Sequence, residues 1–266
     1  MPANEPAIRL AVFALVFTGM AAWEWLAPCR PAEADRRRRW PANIGLVLLD
    51  TVLVRLAFPF ASAGMALLAQ EQGWGLFNLV SLPAWLAVTA SVLLLDLAVY
   101  GQHVLLHAIP LFWRFHRVHH SDPAFDVTTG IRFHPGEIFL SLLFKFAMVI
   151  ALGAPPLAVL LFELALNAGS LFSHSNVSLP PVLDRILRGI IVTPDMHRIH
   201  HSVLASEAGS NFGFALSWWD RLFATYKRQP AAGHQQMVLG QPEFRDAAAQ
   251  TLSQLLLQPL RRNIRL

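Results

Sequence analysis

The chain has 266 residues, of which 55% are hydrophobic and 14% are charged, and its formal net charge is +4. Ordinary soluble domains carry about 25% charged residues, so this composition excludes that class and indicates an integral membrane protein. The arginines cluster at predicted membrane edges and do not alternate with aromatic residues on one face, which argues against nucleic acid as a partner. The single cysteine, Cys29, excludes a disulfide framework and a Cys-rich metal site.

The first apolar run, at about residues 8–27, predicts an uncleaved membrane helix. A signal peptide is the competing interpretation, but its positive region would consist of Arg9 alone. Glu24 and two tryptophans stand where a small-residue cleavage site should be. Trp23 and Trp25 are expected at the membrane interface.

Three more apolar runs follow, at about 43–69, 79–102 and 137–173. A spanning helix needs about 20 mostly apolar residues, so the last run is too long for one crossing. It is interrupted by Gly153-Ala154-Pro155-Pro156, which predicts a tight hairpin of two short helices. The sequence thus predicts an all-α integral membrane bundle of about four membrane-inserted units in a single domain, 1–266.

The arginines predict how the bundle is oriented. Segment 28–41 contains five arginines, whereas segment 70–78 contains Glu71 and no basic residue, so the arginine-rich segment should be cytoplasmic. Counting crossings from there places residues 103–136 and His174 on the same side. We therefore expect a cytoplasmic, histidine-rich helical cap and a multi-pass protein with its active site on the cytoplasmic side.

Ten of the eleven histidines lie between residues 103 and 201. The motif H-x-x-H-H occurs twice, at 116–120 and 197–201, and His103 with His107 adds a pair four residues apart. Side chains three and four apart share a helix face, so each cluster presents its imidazoles in one direction. One tetrahedral zinc takes four ligands, so ten imidazoles favour two metal ions of higher coordination number. Imidazole alone does not choose between zinc, copper, iron and nickel.

Structural interpretations compete with metal binding at each histidine. His234, in a polar stretch, is best explained as an ordinary interfacial residue, and a pair such as His103 and His107 also occurs on amphipathic faces. The H-x-x-H-H motifs are harder to explain in this way, because adjacent imidazoles repel unless a metal or carboxylate compensates them. A cytochrome-b5-type haem ligand at His134-Pro135-Gly136 is rejected, since Glu137 stands where a second glycine is expected.

Residues about 96–226 resemble the fatty acid hydroxylase / sterol desaturase superfamily of membrane non-haem di-iron enzymes. The resemblance rests on six pieces in family order: D-L-A-V-Y-G-Q-H-V-L-L-H, W-R-F-H-R-V-H-H-S, R-F-H-P-G-E, L-F-S-H-S-N, P-D-M-H-R-I-H-H-S and W-W-D-R-L-F-A-T-Y. It implies a di-iron catalytic region at 96–226 that uses O2 to hydroxylate or desaturate a lipid or sterol-like substrate at an unactivated C–H bond. It also implies ten metal ligands: His103, His107, His116, His119, His120, His134, His174, His197, His200 and His201.

Ligating histidines commonly donate their second N–H to a carboxylate or carbonyl group. Polar residues near the clusters are candidates for this role: Asp96, Asp122, Asn176, Asp195, Asn211 and Asp220. For Asn211 and Asp220, helix capping or an Asp220–Arg221 network explains the residue at least as well.

The chain has no dinucleotide-binding glycine motif, no cysteine cluster and no b5 domain, so we expect electrons from an external reductase and the lipid substrate from the bilayer. The alternative function is a non-enzymatic membrane metal-binding or transport protein. It would need ionisable residues strung across the helices, whereas these histidines gather at one edge. A zinc-dependent hydrolase fits less well, because there are too many histidines and too few glutamates beside them.

Overall fold

A computed structural model describes residues 4–31, 35–58 and 62–261. This part of the chain is helical, with isolated β-bridges and no strand. Its α-helices are α1 (Glu5–Leu26), α2 (Arg36–Ala57), α3 (Ser62–Glu71), α4 (Leu76–Leu79), α5 (Ala84–Ala108), α6 (Pro110–His120), α7 (Pro135–Leu152), α8 (Pro156–Ser173), α9 (Pro181–Leu187), α10 (Pro194–His200), α11 (Ala205–Ala208), α12 (Trp218–Leu222), α13 (Gly233–Gln236) and α14 (Leu252–Leu257). Short 3-10 helices cover Thr129–Ile131, Pro242–Phe244, Ala247–Gln250 and Gln258–Leu260.

Five helical segments are long and apolar enough to cross a membrane. They are Glu5–Leu26, Ala84–Ala108, Pro135–Leu152, Pro156–Ser173 and the stretch Arg36–Leu79, which contains α2, α3 and α4 and also residues 59–61, outside the described part. The prediction of an all-α membrane bundle is confirmed, and the last of the four predicted runs forms two helices. The second predicted run, 43–69, includes residues 59–61, which lie outside the described part.

The hairpin between α7 and α8 turns where the sequence predicts it. Gly153 ends α7 with a φ of +61°, in the left-handed region that glycine adopts without strain. A Cβ at this position would lie 2.7 Å from the Trp74 carbonyl oxygen, so glycine also permits the close approach of the chain that follows α3. Pro155 then precedes α8 and Pro156 begins it, a position where proline costs the helix no hydrogen bond.

Helices α5, α7 and α8 form the centre of the bundle. Leu95 of α5 packs against Val149 of α7 and Phe162 of α8. Nearer the other end of α5, the Gln102 amide donates to Ser141 Oγ of α7 at 2.8 Å. These contacts make α7 antiparallel to α5. The C-terminal ends of α5 and α8 and the N-terminal end of α7 therefore lie together, and we call this the histidine end of the bundle.

Helix α1 runs in the same direction as α8 and ties it to the loops. Near its start, Arg9 forms an ion pair of 2.6 Å with Glu163 of α8. Near its end, Glu24 is buried and accepts the backbone N–H groups of Val127 and Asn176, each at 2.7 Å. Because these N–H groups belong to the segments after α6 and α8, Glu24 fixes both segments at the histidine end.

The arginine-rich segment is partly a helix and partly buried. Arg36 begins α2, and residues 32–34 of the predicted loop lie outside the described part. Arg39 is 2% exposed, and its guanidinium donates to both carboxylate oxygens of Asp122, at 2.6 and 2.7 Å, and to Asp126 at 2.8 Å. This two-pronged pairing fixes the loop between α6 and α7 to the first turn of α2.

Candidate metal centre

Nine buried histidines meet at the histidine end in two groups. Within each group the candidate ligand atoms all lie within 4.8 Å of one another. The first group consists of His103, His107, His116, His120 and His200, and the second consists of His119, His174, His197 and His201. The structure thus brings together nine of the ten histidines predicted as ligands.

The first group forms where α6 folds back on α5. Ile109 lies between the two helices in an extended conformation, as expected before Pro110, and this break turns α6 across the end of α5. His200 joins from α10. Three pairs of Nε2 atoms are close: His103 with His116 at 3.1 Å, His107 with His120 at 3.1 Å and His103 with His200 at 3.0 Å.

The second group centres on His174, which follows the last residue of α8. Its Nε2 lies 3.0 Å from Nε2 of His119 and 3.0 Å from Nε2 of His197. His201 completes the group. Its Nε2 is buried and has no hydrogen-bond partner within the described ranges, as expected of an atom that serves as a metal ligand.

Each duplicated motif contributes to both groups. At 116–120, the first and last histidines belong to the first group and His119 belongs to the second. At 197–201, His197 and His201 belong to the second group and His200 belongs to the first. Two consecutive histidines therefore point at different groups in both motifs.

Backbone carbonyl groups fix the tautomer of several histidines. Nδ1 of each lies within hydrogen-bond distance of a carbonyl oxygen, which can only accept, so Nδ1 carries the proton and Nε2 carries the lone pair. The pairs are His103 with Phe212 at 2.7 Å, His174 with Ser170 at 2.7 Å, His200 with Ser210 at 2.7 Å and His119 with Arg132 at 3.3 Å. His116 Nδ1 lies 2.7 Å from a carboxylate oxygen of Glu137, which has the same effect.

With these tautomers, the close Nε2 contacts are unfavourable unless a metal ion is bound between the rings. His103 and His116 present two lone pairs to each other, and so do His103 and His200. Two acceptors at this distance repel each other, because no proton lies between them. A bound cation turns the same arrangement into ligation, since neutral imidazole nitrogen is a metal donor. The residues present therefore fit metal ions in both groups.

Burial favours the neutral form of six histidines in the two groups. The pKa values of His119, His120, His197 and His201 lie well below the usual value for histidine. The main cause is the loss of hydration on burial, and repulsion from neighbouring histidines adds to it. Burial lowers the pKa of His174 to about 4 and that of His200 to about 3. These histidines are unprotonated at pH 7, as metal ligands must be.

His134, the tenth predicted ligand, lies outside both groups. Its Nδ1 accepts the Gly136 N–H at 2.9 Å and caps the start of α7, while its Nε2 lies 3.2 Å from the Leu256 carbonyl oxygen. Both ring nitrogens therefore have hydrogen-bond partners. His234 also lies outside both groups, with Nε2 3.9 Å from Asp195.

The carboxylate that contacts a candidate ligand ring is Glu137, to which the sequence analysis gave no role. It is 3% exposed and accepts from His116 across the start of α7. The motif R-F-H-P-G-E contained the signal, because a glutamate in the first turn of a helix after a histidine cluster can reach back toward the cluster. Its other oxygen, Oε2, is buried and has no partner among the described residues.

The six polar residues predicted for that role contact other groups. Asp96 accepts from Leu216 N and Trp219 Nε1, and Asp220 accepts from the N–H groups of Phe212 and Gly213. Both carboxylates thus act on the backbone of the segment whose Phe212 carbonyl meets His103. The others pair elsewhere: Asp122 with Arg39, Asp195 with Arg198, Asn176 with Arg30, and Asn211 with Met196 and Lys227.

Several known hydroxylases and monooxygenases are similar in sequence to this chain. The family model described as fatty acid hydroxylase matches residues 88–225. Ornithine lipid hydroxylase OlsE of Rhizobium tropici is 35% identical over 56% of this chain and 44% of its own length. Alkylglycerol monooxygenase of Homo sapiens is 29% identical over 59% of this chain and 34% of its own length. Cholesterol 25-hydroxylase of Rattus norvegicus is 26% identical over 54% of this chain and 47% of its own length. The chain spans less than half the length of these curated relatives. No solved structure matches it.

Proposed function

Because this chain belongs to the fatty acid hydroxylase family, we propose that it is a membrane di-iron oxygenase that uses O2 to hydroxylate or desaturate a lipid or sterol-like substrate. The observation that carries the proposal is the pair of buried histidine groups, in each of which one ring nitrogen per histidine lies within 4.8 Å of the others. The relatives support it, since they are hydroxylases and monooxygenases of lipids and sterols.

In this proposal the five histidines of the first group hold one iron and the four of the second group hold the other. When bound, the irons supply the redox chemistry that reduces O2 and attacks an unactivated C–H bond. His134 is left out of the ligand set, because its Nδ1 caps the start of α7 and its Nε2 lies within hydrogen-bond distance of the Leu256 carbonyl oxygen in α14. His234 is not a ligand either.

The protein's own contribution is to orient the rings and to exclude water. Glu137 accepts a hydrogen bond from Nδ1–H of His116, which makes Nε2 of that ring a stronger electron-pair donor to a metal. Aromatic rings cover the second group: Phe133 stacks on His119 with ring centres 4.6 Å apart, and Phe125 stacks on His174 at 5.6 Å. A dry site prevents water from quenching a reactive oxidant.

The histidine end faces the cytoplasm in this proposal, and the electrons come from an external reductase. The support is the number of arginines, five in segment 28–41 and none in segment 70–78. Arg39 is buried, but the other four arginines still give segment 28–41 the excess. Reporter fusions after residue 40 and at the C-terminus should both report the cytoplasm. A signal from the opposite side at either position would overturn this topology.

Metal analysis tests the function most directly. Protein purified without oxygen and supplied with excess Fe(II) should retain two irons per chain and consume O2 when reduced. Lipid extracts from cells with the active protein should gain one oxygen, or lose two hydrogens, in one lipid class. Retention of a single ion, or preference for zinc over iron, would reject the di-iron proposal.

A further inference from the structure

A cavity of about 220 Å³ lies between α2 and α7, on the outer side of the bundle. Its walls include Leu53 and Val54 of α2 and Ile138 and Phe139 of α7. Leu53 is 43% exposed and Phe139 is 45% exposed, and both belong to candidate membrane spans. The cavity therefore opens toward the acyl chains of the bilayer, where an apolar molecule can enter without crossing water.

Asp50 is the single charged residue among those that line this cavity. It is 6% exposed, and its Oδ1 is buried without a hydrogen-bond partner in the described part of the chain. Another buried carboxylate within the candidate spans, Glu163, accepts from Ser62 and Lys145 at 2.7 Å and pairs with Arg9. A buried carboxylate without a protein donor is costly, and Asp50 lines the cavity, so a ligand there that donates to the carboxylate would offset this cost.

Asp50 stands at the end of the cavity nearest the metal centre. One turn before it, Leu46 packs against Val118, which directly precedes His119. On α7 the cavity begins at Pro135, and Glu137, which holds His116, lies between Pro135 and Ile138. The other α2 residues that line the cavity lie at 53–57, farther from the histidine end than Asp50. At 1.5 Å per residue, position 57 lies about 10 Å along the helix from Asp50.

We propose that this cavity binds the polar end of the lipid substrate, with a hydroxyl or ammonium group donating to Asp50 and the chain lying along Leu53, Val54 and Phe139. The inference rests on the proposed function and specifies its substrate class as a lipid with a hydrogen-bond donor at its polar end. Since the chain leads away from the histidines, the C–H bond that reaches them is close to that polar group.

Binding of three probes to the full-length, metal-loaded protein in detergent tests the role of Asp50. The probes are 1-O-hexadecylglycerol, which has two hydroxyls, its di-O-methyl ether, which has none, and hexadecylamine, which is cationic. The unmodified protein should bind the glycerol ether or the amine at least about tenfold more tightly than the dimethyl ether, as expected for a hydrogen bond to a buried acceptor that otherwise has no donor.

Two substitutions of Asp50 separate the donor types. Asp50→Leu should bind all three probes equally. Asp50→Asn should keep the preference if the donor is a hydroxyl, because an amide oxygen still accepts, and lose most of it if the donor is an ammonium. Equal binding of the three probes by the unmodified protein, or an undiminished preference in Asp50→Leu, would overturn the proposal.

A matched pair on α2 tests the cavity itself. Val54→Trp fills it and should weaken binding of the favoured probe by about tenfold or more, whereas Val52→Trp, 55% exposed on the same helix and outside the cavity lining, should leave binding unchanged. Equal effects at both positions would exclude this cavity. Iron content, measured on every variant, keeps the two proposals apart: two irons with no probe preference would reject only the Asp50 site, and absence of iron would reject the di-iron function.

Discussion

Two clusters of polar side chains within the bundle are built on opposite principles. Around Glu163, the cations Arg9 and Lys145 and the hydroxyl of Ser62 surround a carboxylate, so donors meet acceptors and the cluster is satisfied by itself. At the histidine end, nitrogen lone pairs face one another at 3.0–3.1 Å in three pairs, His103 with His116, His103 with His200 and His119 with His174. The first arrangement joins helices, and the second needs an added cation.

Loss of a histidine ligand should have the largest effect. His119→Ala, His120→Ala, His200→Ala or His201→Ala removes a donor from one group, so iron content should fall below two per chain and lipid oxidation should fall to background. Metal analysis and product detection by mass spectrometry measure both. His234→Ala is the control and should leave both unchanged; equal losses at all five positions would contradict the assignment of ligands.

Loss of the carboxylate beside His116 should be the next largest effect. Glu137→Ala leaves Nδ1 without its acceptor, and iron affinity or turnover should fall by about 10- to 100-fold. Glu137→Gln, whose amide oxygen still accepts, should recover much of this loss. The iron dissociation constant, measured by competition with a chelator, distinguishes the two variants. If both lose iron to the same extent, Glu137 does not act through its hydrogen bond.

Breaking the Glu163 cluster should change stability and leave the metal centre intact. Glu163→Leu leaves Arg9 and Lys145, whose side chains are 22% and 19% exposed, without the carboxylate that they share, at a cost of about 1–3 kcal/mol. The melting temperature in detergent should fall while iron content per folded chain stays at two. Loss of iron from protein that is still folded would show that the two clusters are coupled.

The smallest effect is expected at His134. His134→Ala removes the cap of α7 and should cost about 1 kcal/mol of stability with no loss of iron. The unfolding free energy and iron content are the two measurements. Iron loss comparable with that of His119→Ala would restore His134 to the ligand set that the family resemblance implies.

The sequence predicts the helices better than it predicts the site. Apolar length locates the membrane segments, and Gly153 with Pro155 and Pro156 locates the hairpin, because both signals are local. The division of nine histidines into two groups depends on how α5, α6, α8 and α10 pack, which no spacing within one motif reveals. The same limit applies to Arg39, which the sequence suggests is a charge at the membrane edge but which is buried. Its partners, Asp122 and Asp126, lie more than 80 residues away in the chain, so no local pattern reveals them.

The histidine pairs that point at different groups have a further consequence for metal loading. His119 and His120 share one stretch of backbone, and His200 and His201 share another. An ion bound in either group holds both stretches in place, so the second ion meets ligands whose conformational entropy is already lost. The two ions should therefore bind cooperatively, and titration with Fe(II) should give a sigmoidal curve with few singly loaded molecules. Substitution of one ligand would then weaken both sites together.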